Sequence, residues 1–236
     1  MLLIIITLIV STLIGGLSLK IFPSLAKHSR FPLIFAGSYL FAITIIHIVP
    51  ELYFVSSNPS QIGLYMLIGF FFQQFLEYFS SGVEHGHVHT NSAVSVSGRW
   101  SIIIALMIHS VMEGTLLTHD SPFHEKHTSY SLLIGIILHK MPAAFALMAT
   151  MNSLGKKAIY LLVLFSIASP IGLLISDYLL VSEESLLIMF AIVCGSFLHI
   201  STTIFVEASP NHQFRLNKIL ISISGAFLAI LAEYLF

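Results

Sequence analysis

The chain has 236 residues, 56% of them hydrophobic and only 9% charged, with a mean hydropathy of +0.94 and a formal net charge of −1. A soluble domain normally carries about 25% charged residues, so this composition excludes a water-soluble globular protein, and the near-neutral charge leaves no basic field to hold nucleic acid. Cys194 is the single cysteine, which excludes an internal disulfide or a Cys-based zinc cluster; it reads as a small apolar helix residue.

A membrane span needs about 20 mostly apolar residues, and eight such runs occur. The first, Leu2–Leu19, has no Lys or Arg ahead of it, so it is expected to be a retained span and not a cleaved leader. The second, Phe31–Leu52, places His47 and Glu51 on one helix face near its end, a candidate entrance for a cation. The third, Ile62–Phe79, carries Glu77 and leads into a polar stretch in which His85, His87 and His89 alternate, a candidate loose metal site. The fourth, Trp100–Leu117, holds His109, Ser110 and Glu113, and is followed by a loop with His119, His124 and His127. The fifth, Tyr130–Thr150, holds His139, Lys140 and Pro142. The sixth, Ala158–Leu180, contains Ser169 and Pro170; the seventh, Leu186–Val206, contains His199 and is followed by Glu207; the eighth is Ile219–Phe236. Glu77, His199 and Glu207 are candidates to line an exit. Helices satisfy their own backbone hydrogen bonds in lipid and the connections leave no room for a soluble domain. The expectation is therefore an all-α polytopic membrane protein, one transmembrane domain over residues 1–236.

Eight of the ten basic residues fall in alternate connections: Lys20, Lys27 and Arg30, then Arg99, then Lys156 and Lys157, then Arg215 and Lys218. The opposite side has only Lys126, and Lys140 lies within a span. Basic loops stay in the cytoplasm, which predicts extracytoplasmic termini. A faint internal repeat accompanies this plan. Gly37-Ser38-Tyr39-Leu40 resembles Gly195-Ser196-Phe197-Leu198; Gly69 with Glu77-Tyr78 recurs as Gly225 with Glu233-Tyr234; Ile14-Gly15 recurs as Ile171-Gly172. One shift of 156–158 residues aligns spans one to three with six to eight. Five spans separate paired members, so each pair runs in opposite directions. That is an inverted repeat in a 3+2+3 plan, with a substrate site expected near the midplane.

Spans four and five, left between the repeats, carry the unusual chemistry. His109 and Glu113 are four residues apart and share a helix face. His109 lies nine residues from Trp100 and His139 nine from Tyr130, so each is roughly 13 Å deep at 1.5 Å per residue. An acid or lysine at that depth costs at least about 2.5–3.5 kcal/mol on insertion scales, so Glu113 and Lys140 need partners or water. Two imidazoles and a carboxylate suit a borderline ion such as zinc. The triad also leaves a coordination position open, which a releasing carrier needs. Pro142 lacks an N–H, which frees the Leu138 carbonyl beside His139 to line a polar path.

These spans resemble the ZIP family of metal transporters. His109, Glu113 and Gly114 match the His-x-x-x-acid-Gly pattern of the family's fourth helix, and His139 with Pro142 matches its fifth. Gly37 through His47, Pro50 and Glu51 resembles the second helix, and Ser169-Pro170-Ile171-Gly172 the sixth. The resemblance implies eight helices and carriage of divalent metal toward the cytoplasm across the cell membrane, zinc foremost, with iron, manganese and cadmium as further candidates. Many family members bind a second metal at positions occupied here by Ser110, Lys140 and Ser169, and carry an acid where Ala143 stands. That departure implies a single-metal site of His109, Glu113 and His139, with Lys140 in place of a second cation. The expected partners are the metal ion and the bilayer, with a homodimer as a candidate assembly. No Walker-type loop is present, so a gradient must drive transport. The alternative is a membrane-embedded zinc hydrolase using the same histidines to activate water; the His-Glu-x-x-His signature is absent.

Overall fold

The computed structural model describes residues 1–21, 30–83, 95–117, 128–179, 182–207 and 216–235. Among them, α-helices α1 (Leu2–Ile21), α2 (Arg30–Ile43), α3 (Val49–Val55), α4 (Pro59–Ser80), α5 (Val96–Thr115), α6 (Thr128–Thr150), α7 (Lys156–Leu179), α8 (Glu183–Glu207) and α9 (Leu216–Leu235) form eight spans that alternate in direction. α2 and α3 are one span joined by a π segment, Thr44–Ile48. The Val49 N–H reaches back five residues to the Thr44 carbonyl. This wide turn ends just before Pro50, which has no N–H to continue the ordinary pattern. Local chemistry sets other ends. Pro59 opens α4 after Asn58, Ser81 closes it in a left-handed conformation (φ 56°), and the Ser95 hydroxyl accepts from the Gly98 N–H at the start of α5.

Seven of the eight spans are long and apolar enough to cross a membrane; α5 is not among them. Arg99, His109 and Glu113 lower its hydropathy; of these His109 and Glu113 are buried inside the bundle, with Ser110 beside them. Conversely, the exposed side chains of α4 and α9 are large and apolar, among them Phe71, Phe75, Ile223 and Phe227. In water such faces would aggregate; in lipid they are the solvated surface. Burial follows position: 67% of the apolar window of α6 and 61% of that of α8 are buried, against 22% for α1 and α4 and 17% for α9. α6 and α8 are the central helices.

The spans sort into two bundles. α2–α3, α4, α8 and α9 pack together in one, with α4 on α8 and α2 on α9. α1, α5, α6 and α7 form the other, with α5 on α7 and α1 on α6. Reversing the repeat exchanges α2 on α9 with α8 on α4, and α1 on α6 with α7 on α5, so the packing has the symmetry of the 3+2+3 plan. The glycines show it at atomic scale. A Cβ at Gly69 would fall 1.8 Å from the Ile192 carbonyl oxygen on α8, and one at Gly225 2.4 Å from the Phe35 carbonyl oxygen on α2. Close backbone approach through small residues is how helices associate without a hydrophobic driving force. The two bundles meet mainly where α2 packs on α6 and α4 on α5.

Candidate metal centre

α5 and α6 both pack on α7, and the three helices carry the polar cluster inside the second bundle. Ligand atoms of His109, Glu113 and His139 all lie within 4.8 Å of one another, and the residues are only 3%, 1% and 2% exposed. His109 Nε2 is 3.4 Å from Glu113 Oε2, one helical turn on. The His109 and His139 rings stand nearly perpendicular (84°) with centroids 5.7 Å apart. Ligand atoms around a tetrahedral zinc sit about 2.0–2.2 Å from the ion, so this triad is close to a coordination shell. His109 Nε2 and His139 Nε2 are buried without a hydrogen bond, a costly arrangement for polar atoms that have no ligand role.

The other nitrogen of His109 explains its orientation. Nδ1 lies 3.1 Å from Gln73 Oε1 on α4, and the Ser196 hydroxyl on α8 donates to the same oxygen at 2.8 Å. An amide oxygen only accepts, so His109 donates from Nδ1 and keeps its Nε2 lone pair toward Glu113 and His139. Fixing a tautomer through the second ring nitrogen is the usual way a ligating histidine is held. Gln73 and Ser196 escaped the sequence reading. Gln73 stands in a Phe-rich run, Phe70-Phe71-Phe72-Gln73-Gln74-Phe75, and a buried amide among aromatics was the available signal.

Lys140 adjoins His139 in sequence but its ammonium serves Glu113. Nζ is 2.5 Å from Glu113 Oε1 and 2.7 Å from Ser169 Oγ, and also donates to Ser110 Oγ. All three N–H groups are thereby used. Ser169 Oγ lies 2.7 Å from Glu113 Oε1 and 3.0 Å from the Ser110 carbonyl, and Ser110 Oγ is 3.0 Å from Ser169 Oγ. Phe165 backs the ammonium at 4.4 Å from its ring centroid. Lys140 is 1% exposed, so it neither reaches toward a membrane surface nor pairs with Glu77. Gly114 makes this proximity achievable: a Cβ there would fall 2.0 Å from the Ser169 carbonyl oxygen.

Four further sequence candidates, His47, Glu51, Glu77 and His199, lie at the two ends of the first bundle. Toward the face that holds both termini, His47 Nδ1 is 3.0 Å from Glu233 Oε1 on α9, and its Nε2 is 3.5 Å from Glu51 Oε2. The Ser131 hydroxyl on α6 donates to Glu233 Oε2 (3.0 Å), and Tyr39 OH donates to the Ser131 carbonyl (2.9 Å). Glu233 and Ser131 were not among the sequence candidates for this cluster. Toward the opposite face, His199 Nε2 on α8 is 2.6 Å from Glu77 Oε2 on α4. Pro142 lies inside a continuous α6 and lines an apolar cleft of about 500 Å³ with Gly15, Phe35, Met141 and Ser224. The lining of this cleft is mostly apolar, with Ser18 and Ser224 as its hydroxyls. His85, His87 and His89 lie outside the described residues, as do His119, His124, His127 and the Glu207 side chain.

A helical membrane bundle with a buried His–Glu–His cluster between helices is the architecture of a membrane metal-binding protein. The family described as ZIP Zinc transporter matches residues 86–233, and the chain belongs to that family. Similar curated proteins include Zinc transporter ZIP9 of Xenopus tropicalis, 25% identical over 133 residues, which are 55% of this chain and 44% of the relative. Zinc transporter ZIP9-A of Xenopus laevis matches to the same extent. Zinc transporter ZIP9 of Micropogonias undulatus is 25% identical over 113 residues, 47% of this chain and 36% of the relative. The matched stretch thus spans less than half the length of these relatives.

Proposed function

We propose that this chain carries divalent metal ions across a membrane, binding one ion at a time through His109, Glu113 and His139. The observation behind this reading is the convergence of three ligand-capable side chains in a site buried from both faces, in a chain of the ZIP family. Zinc is the first candidate substrate, because imidazole and carboxylate suit it; iron, manganese and cadmium are the competitors. A buried site can load and unload only if its surroundings open to one side and then the other, so transport proceeds by alternating access. The basic connections are cytoplasmic and the termini extracytoplasmic, and the resemblance to metal importers favours an inward direction across the cell membrane. The His85, His87 and His89 stretch tunes uptake. Family membership favours carriage over hydrolysis.

Flux of zinc, iron, manganese and cadmium into sealed proteoliposomes tests the reading. Zinc flux by the wild-type chain is expected to fall to background in His109→Ala, Glu113→Ala and His139→Ala, each purified as a folded protein. Unchanged flux in all three variants would remove the site.

A further inference from the structure

We propose that Lys140 sets the affinity and release rate of the metal site as a built-in countercharge to Glu113. The inference rests on His109, Glu113 and His139 being the metal site. It concerns a residue that is not a ligand and acts only through one.

The cluster divides the two carboxylate oxygens of Glu113 between different tasks. Oε1 is taken by the Lys140 ammonium and lies 2.7 Å from the Ser169 hydroxyl. Oε2 faces His109 Nε2. The carboxylate is therefore held with one oxygen toward the imidazoles and offers a cation a single bond. The ammonium itself has no freedom to leave: three oxygens from α5 and α7 accept its protons, and the Phe165 ring closes its remaining side. This is more than a helix-to-helix tie. Ser110 and Ser169 contact each other directly, and Gly114 already brings α5 onto α7.

The charge balance follows from the geometry. With neutral imidazoles, one carboxylate and one ammonium make a metal-free cluster of net charge zero. A carboxylate buried without a countercharge is expensive, so the pair stabilises the metal-free carrier on its return. The same ammonium repels an arriving divalent ion across a poorly screened gap, and opposite or like charges at that range interact far more strongly than in water. Both effects act in one direction. They weaken metal binding relative to a site with Glu113 alone, and they speed release. A carrier gains turnover from this, since a deep minimum would trap its cargo.

The test removes the charge while keeping hydrogen-bond donors. In Lys140→Gln the amide can still donate to Ser110, Ser169 or Glu113; in Lys140→Met both charge and donors are lost. Zinc affinity of the purified full chain is read by chelator competition, and saturating flux in proteoliposomes. Both variants are expected to bind zinc at least about 10-fold more tightly, as loss of a nearby like charge in a low-dielectric site requires, while saturating flux falls because release becomes limiting. KM and maximal rate drop together. A residue that merely anchors α5, α6 and α7 would leave affinity unchanged in the Gln variant and weaken it in the Met variant. Unchanged or weaker zinc binding in folded Lys140→Gln therefore overturns the proposal, and Lys140→Met reports the same affinity if the Gln variant does not fold. Zinc binding that survives in His109→Ala and His139→Ala variants with Lys140 intact would instead overturn the metal-site assignment on which the inference rests.

Discussion

The two bundles do different work. The second, α1 with α5, α6 and α7, contains every charged or ligand-capable member of the central cluster, His109 and Glu113 on α5 and His139 and Lys140 on α6, together with the two serines that accept from Lys140, Ser110 on α5 and Ser169 on α7. The first, α2–α3 with α4, α8 and α9, contributes Gln73 and Ser196 to that cluster and keeps its own carboxylates at its two ends, Glu233 with His47 and Glu77 with His199. Each bundle is locked internally by glycines in backbone contact, such as Gly69 on Ile192 and Gly114 on Ser169. Across the boundary the approach is looser: Gly135 on α6 meets the side chain of Tyr39 on α2, not its backbone. Under the proposed transport, this side-chain boundary is where one bundle would shift against the other. Alternating access needs a division of this kind.

The strongest way to break this comparison is at Gly114. Alanine there would press against the Ser169 backbone, which cannot swing aside as a side chain could. Gly114→Ala is expected to cost about 3 kcal/mol or more, the upper range for overpacking, and to reduce zinc flux below one-tenth as Glu113 is displaced. A variant with wild-type melting and flux would show that backbone contact within the second bundle is dispensable. Next in size is Gln73→Leu, which removes the first bundle's hold on the His109 tautomer. Loss of such an outer partner typically weakens metal binding about 10–100-fold, measurable by chelator competition. An unchanged affinity would place the site's orientation wholly within the second bundle.

Two smaller changes probe the boundary itself. Ser131→Ala removes a hydrogen bond from α6 to Glu233 of α9. Its effect is expected on rates and not on metal affinity: flux should change by about 2–13-fold, the scale of one net hydrogen bond of about 0.5–1.5 kcal/mol. An equal shift in zinc affinity would mean that this cluster binds metal itself. Gly135→Ala brings a Cβ to 3.0 Å from the edge of the Tyr39 ring. Because a ring edge can give way, the cost should stay below about 1 kcal/mol. A loss as large as that of Gly114→Ala would erase the difference between interior and boundary.

Eight spans, their alternation and the repeat were all legible, because lipid demands about 20 apolar residues per helix and because Gly15, Gly69, Gly172 and Gly225 stand at matching offsets. The His109–Glu113 pair was legible from four-residue spacing alone. The π segment before Pro50 was not, since a single wide turn leaves no trace in hydropathy. Gln73 also went unread: an uncharged amide scarcely lowers the apolarity of a Phe-rich helix, and its meaning comes from a histidine 36 residues away.

Composition and periodicity by themselves determined that this chain is a bundle of membrane-spanning helices with two histidines and a carboxylate at one depth. These properties are set by each helix separately: length by the thickness of the bilayer, depth by the rise per residue, facing by the 3.6-residue turn. Pairing between helices is different. The spacing of His139 and Lys140 is the same whether the ammonium meets Glu77 or Glu113. Only the approach of α5 to α7 through Gly114 settles it, by bringing Ser110, Ser169 and Glu113 around one nitrogen. The partner of this buried charge is a property of the packed interface, because the acid that meets Lys140 stands on a different helix and only packing decides which one comes within reach.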